Sequence, residues 1–388
     1  MPPQDSYQTI PDSSEQPSMD GNSGRIGISA IATFEPPWVL SNDWFAGIIP
    51  RKFVHHTGIE SRPISQEDEV AMGVRAVKNL QREVGCDLAD CRGLVFASPS
   101  FIPAATALRL GGETRARQER LRLAGRQLVR RLGIGSCPVA AINWFCSGYS
   151  RAVSLAANRL TPRLHLKPHQ FVLVVTASRI SRITDYSCPQ TSALFGDMAT
   201  ATLLAPTGSQ RYPVHFELLY ADARKQPADG VYFDFHLRQN VPAPTADGGR
   251  DVAAERLVFS LDGMSIADTA PRAMSNALAE ALASTGLGAD EIKYVVPHQA
   301  GAGIVRLTAM KLEQLGVRGE VINGLTQRVG NVSSGSIPYS LKQTWQKLTG
   351  TIACPTAAVG SPGAKEVSQG CLLLRSTPHH DQLTLAVA

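Results

Sequence analysis

Residues 140–156 read AAINWFCSGYSRAVSLA, and this stretch decides the fold. An apolar run reaches residue 145, a lone cysteine follows, and beyond it apolar residues recur with the spacing of a helix. The pattern predicts a buried strand over residues 139–145 and a helix over residues 147–160. Cys146 is therefore expected on the turn between them, at the N-terminus of the helix.

This position gives the cysteine a chemical interpretation. The free N–H groups and the dipole at a helix N-terminus stabilise a thiolate, so we expect the pKa of Cys146 to be lowered. Gly148 lets the backbone around the turn pack closely. A cysteine before a helix is by itself more often a small core residue, so a functional role requires partner residues.

Composition bounds the class of protein. At 388 residues and 43% hydrophobic, the chain can bury a large core, and its length suggests two domain-sized units. The net charge of +5 falls short of a nucleic-acid-binding surface. No apolar stretch is long enough to span a bilayer.

The seven cysteines are scattered, which favours a reducing compartment and hence a cytoplasmic protein. Cys86 and Cys91 have no second cysteine or histidine pair at the spacing of a metal site. We therefore assign no metal.

Short β-branched runs alternate with amphipathic stretches in both halves of the chain, which predicts an α/β fold made of two similar halves. Residues 1–24 are rich in Pro, Ser and Gln and lack an apolar core, so we expect a disordered tail that is neither a signal peptide nor a membrane anchor. The predicted halves cover residues 25–207 and 208–388.

Two segments interrupt this alternation of β-branched runs and amphipathic stretches. Residues 102–131 are rich in arginine, and a solvated helix face is favoured there over a docking patch for an acidic partner. The candidate docking residues are Arg115, Arg117, Arg120, Arg122 and Arg126. Residues 239–251 are rich in Pro, Ala, Gly and Asp and are predicted to be a mobile loop.

Two candidate partners for Cys146 lie in the second half. His298 follows a predicted buried strand in YVVPHQAGAG, and the carboxyl ends of strands are where open α/β sheets build their sites. Asn331 lies in the Gly- and Ser-rich loop of QRVGNVSSGSIPYSL, where a simple turn asparagine would also suit the composition.

The motifs WFCSG, VVPHQA and VGNVSSGSIPYSL, in this order, resemble the β-ketoacyl-acyl-carrier-protein synthase III branch of the condensing enzymes. Further similarity lies in HTGIESRPI, SALFGDMATATLL and GSPGAKEVSQGCLLLR. The resemblance spans residues 25–375. It implies a thiolase-like fold, with the two halves layered as α-β-α-β-α.

By this resemblance Cys146 would be the nucleophile that accepts an acyl group from a thioester. His298 and Asn331 would donate hydrogen bonds to the carbonyl oxygen of a malonyl-type thioester and stabilise the enolate formed as carbon dioxide leaves. The backbone N–H of Cys146, together with the glycine loop at Gly360 and Gly363, would hold the oxyanion.

The resemblance carries further expectations. Phe195 is similar to an aromatic residue that crosses the dimer interface or lines the acyl channel in the family. The protein would be a homodimer without a cofactor. Coenzyme A or acyl-carrier-protein thioesters would be its substrates, and the carrier protein a possible partner.

The chain also departs from the family pattern. Lys52 and His56 stand where a tryptophan and an arginine usually grip coenzyme A. Gly301, Ala302 and Gly303 replace a usual asparagine and arginine. These changes indicate a specialised lipid or secondary-metabolite pathway rather than routine initiation of fatty acid synthesis.

Three other readings remain open. An acyltransferase on the same fold would pass the acyl group to an alcohol, an amine or a carrier thiol without forming a carbon–carbon bond. A non-catalytic partner subunit would be expected to have lost the cysteine, histidine or asparagine. Condensation without decarboxylation would need a glutamate base, and Glu113 and Glu119 stand in no recognisable motif.

Overall fold

The computed structural model describes residues 25–101, 113–230, 232–245 and 247–387. The side chains of residues 113–117 and 383–387 lie outside this description, and so does the predicted tail over residues 1–24.

The described strands and helices alternate along the chain, as the α/β prediction expected. The strands are β1 (Ile26–Phe34), β2 (Trp38–Ser41), β3 (Ser61–Ile64), β4 (Cys91–Ala97), β5 (Val139–Ile142), β6 (Phe171–Ser178), β7 (Met198–Pro206), β8 (Phe216–Pro227), β9 (Phe233–Pro244), β10 (Arg250–Leu261), β11 (Ile292–Val295), β12 (Glu320–Val321), β13 (Thr351–Val359) and β14 (Glu366–Ser376). The α-helices are α1 (Phe53–Thr57), α2 (Glu69–Val84), α3 (Glu113–Leu132), α4 (Gly148–Leu155), α5 (Gly263–Thr285), α6 (Ala302–Gln314), α7 (Ser336–Gln343) and α8 (Pro378–Val387). Helix α4 continues through a π-helical turn (Ala156–Leu160) into a last helical turn (Thr161–Leu164).

The main sheet shows that the chain is built from two equivalent halves. In the described residues its strand order is β12-β11-β13-β14-β8-β1-β7-β6-β4-β5. Strands β5, β4 and β6 are parallel, and β6, β7 and β1 are antiparallel. Strands β12, β11 and β13 followed by β14 and β8 repeat this arrangement. The predicted pair of similar α/β halves is confirmed.

The two halves join where β1 pairs with β8, through Gly27 with Glu217 and Ile28 with Phe216. The chain passes from β7 to β8 over residues 207–215, and the predicted domain boundary at residue 207 falls at the start of this connection.

Helices form layers outside and between the two sets of strands. Helix α4 contacts β4 and β6 of the first half and β8 and β14 of the second, while α7 contacts β1 and β7. Helix α2 covers β1, β6 and β7 on the outer side, and α5 covers β13 and β14. The result is the α-β-α-β-α layering that the resemblance to the thiolase-like fold implied.

Local sequence explains where the outer helices begin and end. The Asp68 side chain accepts a hydrogen bond from the Ala71 N–H at the start of α2, and Gly85 ends that helix at φ 62°. Asp262 similarly caps α5 through the Ser265 N–H. Aspartate N-caps and left-handed glycine ends are the usual signals for these boundaries.

The prediction of a loop over residues 239–251 is wrong for residues 239–244, which belong to β9, and for residues 250–251, which belong to β10. This segment belongs to a long hairpin in which β9 pairs with β10 from Phe233–Leu261 to Pro244–Arg250. The Pro- and Gly-rich composition describes the tip, whereas the alternating apolar residues on either side form the strands. Pro242 and Pro244 are tolerated because a two-stranded ribbon has free edges.

Candidate active site

Cys146 lies on a strained turn between β5 and α4. The strand ends at Ile142, earlier than expected, and a 3-10 turn over Phe145–Ser147 leads into the helix. Phe145 adopts φ 44°, which is uncommon for a side chain of this size. A Cβ atom at Gly148 would lie 3.0 Å from Cβ of Ser334, so the glycine lets the loop of the second half approach the turn closely.

One cavity brings the predicted residues together. Cys146, His298, Asn331 and Phe195 all line it, and it encloses about 780 Å³ including its open mouth. Most of its wall is apolar, with Phe145, Ile180, Phe233, Phe259 and Leu261 among the lining residues. The three polar residues implied by the resemblance thus share a hydrophobic chamber.

Asn331 is held by hydrogen bonds from two sides. Its backbone N–H donates to the carbonyl of Leu194 at 2.8 Å, and its own carbonyl accepts from the Gly196 N–H at 3.2 Å. Phe195 lies between these two residues, so its backbone runs beside Asn331. The side-chain oxygen of Asn331 accepts from the Ser333 N–H at 2.9 Å. Because the oxygen is used in this way, the amide NH₂ is the end left to face the cavity.

His298 is the buried partner from the second half. Its backbone N–H donates to the carbonyl of Pro355 in β13 at 3.0 Å, and the residue is 2% exposed. Neither ring nitrogen has a hydrogen-bond partner among the described residues. Burial lowers the pKa of His298 to about 4, so the imidazole is neutral at physiological pH and offers one N–H donor.

The expected lowering of the Cys146 pKa is wrong in direction. Burial in the apolar chamber raises the pKa of this thiol to about 11, although hydrogen bonds from Ser333 and Asn331 act the other way. Desolvation disfavours the charged thiolate more strongly than the turn stabilises it. At physiological pH, Cys146 and His298 are therefore a neutral thiol and a neutral imidazole.

Comparison with known proteins shows which family each half of the chain is similar to. Residues 141–222 match the family model of 3-oxoacyl-[acyl-carrier-protein] synthase III, and residues 282–355 match the model of its C-terminal part. The first region contains Cys146, and the second contains His298. Both matched regions are therefore similar to the synthase III condensing enzymes, and the fold is thiolase-like.

Individual relatives are similar at moderate identity. A β-ketoacyl-[acyl-carrier-protein] synthase III of Chlorobium phaeobacteroides is 29% identical over 203 residues, which cover 52% of this chain and 57% of that protein. The corresponding protein of Clostridium beijerinckii is 27% identical over 339 residues, covering 83% and 91%. The priming β-ketosynthase of the R1128 polyketide biosynthetic pathway has the same fold, with a TM-score of 0.66 at 22% identity, covering 93% of this chain and all of that structure.

The glycine loop of this synthase III-like chain lies between Val359 and Val367, which both line the chamber. The N–H of Gly360 donates to the carbonyl of Glu366 at 3.0 Å, and the N–H of Gly363 donates to the carbonyl of Phe233 at 3.0 Å. Neither glycine lines the cavity. The predicted oxyanion role of Gly360 and Gly363 is corrected, because both amides already serve backbone hydrogen bonds.

In the arginine-rich segment of the synthase III-like chain, residues 113–131 belong to helix α3, and residues 102–112 lie outside the described residues. Arg120 and Arg122 are exposed and Arg126 is half-buried, and none of them lines the chamber. The side chains of Arg115 and Arg117 lie outside the described residues. The structure therefore separates the three described arginines from the chamber, and their docking role stays a prediction.

Two contributors to the chamber were missed in the sequence. Ser333 lines it and donates a hydrogen bond from its hydroxyl to Sγ of Cys146 at 3.6 Å. The β9–β10 hairpin supplies Phe233, Phe259 and Leu261 to the wall. The alternation of apolar residues in VYFDFHL and ERLVFSL is the signal that could have revealed the hairpin.

Two observations on the described residues complete the account of this synthase III-like protein. Among the residues the structure describes, no helix is both long and apolar enough to cross a membrane. In the same residues, no group of three or more His, Cys, Asp or Glu side chains is arranged to hold a metal ion.

Proposed function

We propose that this protein is a ketosynthase that accepts an acyl group on Cys146 and condenses it with a malonyl-type thioester as carbon dioxide leaves. One observation carries the proposal: Cys146, His298 and Asn331, from three separate loops, line one apolar chamber in which both nitrogens of the His298 ring lack a partner within the described residues. Buried polar groups are normally paired, and unpaired ones concentrate at functional sites.

Acylation is an exchange of thioesters. The sulfur of Cys146 attacks the donor carbonyl, the new carbon–sulfur bond replaces the bond to the donor thiol, and the thiol proton leaves with that donor. The pKa of about 11 means that the sulfur is protonated in the resting state. Its proton must therefore move as the bond forms, and the neutral imidazole of His298 has a ring nitrogen that can accept it.

Condensation requires stabilisation of negative charge on oxygen. When the malonyl-type thioester loses carbon dioxide, its carbonyl oxygen becomes an enolate, and the enolate carbon then attacks the acyl group and releases the sulfur of Cys146. The N–H of neutral His298 and the NH₂ of Asn331 are two donors suited to that oxygen. The sulfur takes up one proton to restore the thiol.

The acyl group that fits this chamber is a hydrocarbon. Phe195, Phe233 and Phe259 form part of its wall, and the rings of Phe195 and Phe259 pack edge to face with centroids 5.4 Å apart. An apolar wall offers no partner to a hydroxyl or a charge on the acyl chain, so polar acyl groups would lose their hydration without compensation.

A specialised pathway is supported by the packing of α1 against α6. A Cβ atom at Gly303 would lie 2.7 Å from the backbone oxygen of His56, closer than real contacts allow. A side chain such as the family's arginine therefore cannot stand at this position unless α1 moves. Lys52 is the N-cap of α1, and His56 lies within that helix. Recognition of the thioester carrier would therefore differ from that in family members that initiate fatty acid synthesis.

The proposal includes the setting of the reaction. Coenzyme A or carrier-protein thioesters are the proposed substrates, and no cofactor is required because loss of carbon dioxide itself supplies the carbanion. We propose a homodimer that works in the cytoplasm, in a specialised lipid or secondary-metabolite pathway.

Intact-protein mass spectrometry tests the nucleophile. The wild-type protein is incubated with a panel of acyl thioesters that differ in chain length, and the added mass identifies the donor. Cys146→Ala is expected to remove the mass increase, whereas Cys188→Ala keeps it because Cys188, the other half-buried cysteine, does not line the chamber. Continued acylation of Cys146→Ala would refute the nucleophile assignment.

A second measurement separates condensation from simple acyl transfer. Asn331→Ala is expected to self-acylate but to release little carbon dioxide from a malonyl thioester. If the wild-type protein becomes acylated but releases no carbon dioxide and instead acylates an alcohol, an amine or a carrier thiol, the acyltransferase reading replaces the proposal.

A further inference from the structure

Ser333 contacts two residues that the proposed reaction uses: Cys146 on the turn before α4 and Asn331 on the loop before α7. Its hydroxyl donates to Sγ of Cys146 at 3.6 Å, and its backbone N–H donates to Oδ1 of Asn331 at 2.9 Å. The residue lines the chamber and is 2% exposed. Ser333 also adopts φ 51°, a left-handed conformation that favours glycine, so the chain keeps a serine at a position of backbone strain.

We propose that Ser333 is a further catalytic residue, whose hydroxyl donates a hydrogen bond that stabilises negative charge on the sulfur of Cys146. The acyl-transfer part of this inference rests on the proposed function. The sulfur gains charge twice in that reaction: when it loses its proton to attack the donor thioester, and when it leaves as a thiolate in the carbon–carbon bond-forming step. Ser333 gives up no proton in either step.

The surroundings explain why the sulfur needs this donor. The chamber wall is mainly apolar, so a developing thiolate there finds few groups that replace water. Phe145 lies immediately before Cys146 and lines the same space. A hydroxyl beside a charge in such surroundings interacts more strongly than it would in water. Its contribution is therefore larger in the charged transition state than in the resting thiol.

The two hydrogen bonds of Ser333 come from different parts of the residue, and this separation makes the inference testable. Removing the side chain deletes the bond to Cys146 and leaves the backbone N–H on Asn331. A hydroxyl-free variant should therefore impair reactions of the sulfur while sparing the carboxamide that serves the enolate. A purely structural role for Ser333 would impair both together.

The first test measures the sulfur directly. Wild-type protein and Ser333→Ala are alkylated with iodoacetamide at fixed pH, and modification of Cys146 is followed by peptide mass spectrometry. Loss of a hydrogen bond to a charged group lowers the thiolate fraction about tenfold. The higher nucleophilicity of a more basic thiolate offsets part of this loss, so we expect alkylation to slow about threefold.

Two further variants control for strain and for the loop. Ser333→Gly accepts the left-handed backbone without strain, so it should slow alkylation as Ser333→Ala does if the hydroxyl is responsible. Ser334→Ala removes the neighbouring buried hydroxyl, which bonds to Ser178 at 3.0 Å and not to the sulfur. Alkylation in Ser334→Ala should match the wild-type rate. Unchanged or faster alkylation in both Ser333 variants, or an equal loss in Ser334→Ala, overturns the inference.

The second test uses substrates. Ser333→Ala should accept the acyl group at least threefold more slowly, while the acylated variant releases carbon dioxide from the malonyl thioester at close to the wild-type rate per acylated enzyme. An equal loss in both steps would show that the variant displaces Asn331 and would refute the assignment. If the wild-type protein releases no carbon dioxide, the proposed function fails, but the alkylation result still decides the role of Ser333.

Discussion

Replacing His298 by phenylalanine is expected to stabilise the protein, and the gain should grow as the pH falls. His298 is 2% exposed, and neither ring nitrogen has a hydrogen-bond partner in the described part of the chain. An unsatisfied buried polar atom costs about 1–3 kcal/mol. Phenylalanine keeps an aromatic ring in the chamber and removes that cost, although its larger size offsets part of the gain.

The pH dependence follows from the pKa of His298, which burial lowers from 6.5 to about 4. Below pH 6.5 the unfolded chain takes up a proton that the folded protein excludes, so the histidine increasingly favours unfolding until the folded state is itself protonated near pH 4. Linkage gives about 2 kcal/mol of lost stability at pH 5 relative to pH 7.5. His298→Phe should escape this loss.

Urea unfolding at about pH 7.5, 6 and 5 measures the effect, with the protein concentration held constant so that association does not enter the comparison. Other buried groups titrate in the same range. Burial lowers the pKa of His215 to about 4, which also destabilises the fold in acid, and raises the pKa of Asp197 to about 6, which acts in the opposite direction. Both groups are present in both proteins and cancel in the difference.

His298→Leu provides a second variant without a titratable ring and should show the same widening of the difference at low pH. A stability difference between wild type and variants that stays constant from pH 7.5 to 5 would mean that the folded state takes up the proton on His298. That outcome would refute the buried, neutral imidazole on which the proposed chemistry depends.

Three other predictions concern the wall, the α1–α6 contact and the surface. Phe259→Ala should enlarge the chamber and shift the preferred acyl donor to longer chains by about tenfold in a mass-spectrometric competition; an unchanged preference would place the acyl chain elsewhere. Gly303→Ala should lower the free energy of unfolding by about 1–3 kcal/mol, because its Cβ meets the backbone oxygen of His56, and urea unfolding would detect this loss. Exchange of both Arg120 and Arg122 for glutamate should weaken binding of an acidic carrier protein at low salt, with an unaltered KM for the carrier thioester counting against docking on α3.

The candidate site was largely predictable because its residues lie in distinctive local patterns. Cys146 follows an apolar run and precedes a helix, and His298 follows another buried strand. Each local pattern was ambiguous by itself, and it was the resemblance to the condensing enzymes that implied a shared site for Cys146, His298 and Asn331. The structure places all three around one chamber. The strand order repeats in the two halves, so β5, which precedes Cys146, and β12, which precedes Asn331, occupy equivalent places in the sheet.

Properties that depend on contacts distant in sequence were not predictable in this way. The pKa of Cys146 depends on a chamber partly walled by Phe233 and Phe259, which lie 87 and 113 residues further along the chain. The local turn suggested a thiolate, whereas the tertiary surroundings favour a thiol. The amides of Gly360 and Gly363 likewise had the right composition for an oxyanion site, but their partners in the fold are backbone carbonyls.

The neutral state of the site bears on which chemistry it suits. A hydrolase that uses cysteine works best with an ionised thiolate and a third group that orients its histidine. Here burial opposes charge on both Cys146 and His298, and the histidine ring has no orienting partner among the described residues. Decarboxylation needs no base, because the departing carbon dioxide leaves its electron pair behind; it needs neutral donors and protection of the enolate from water. A desolvated chamber holding an imidazole and a carboxamide meets that requirement, which is why condensation is the stronger proposal.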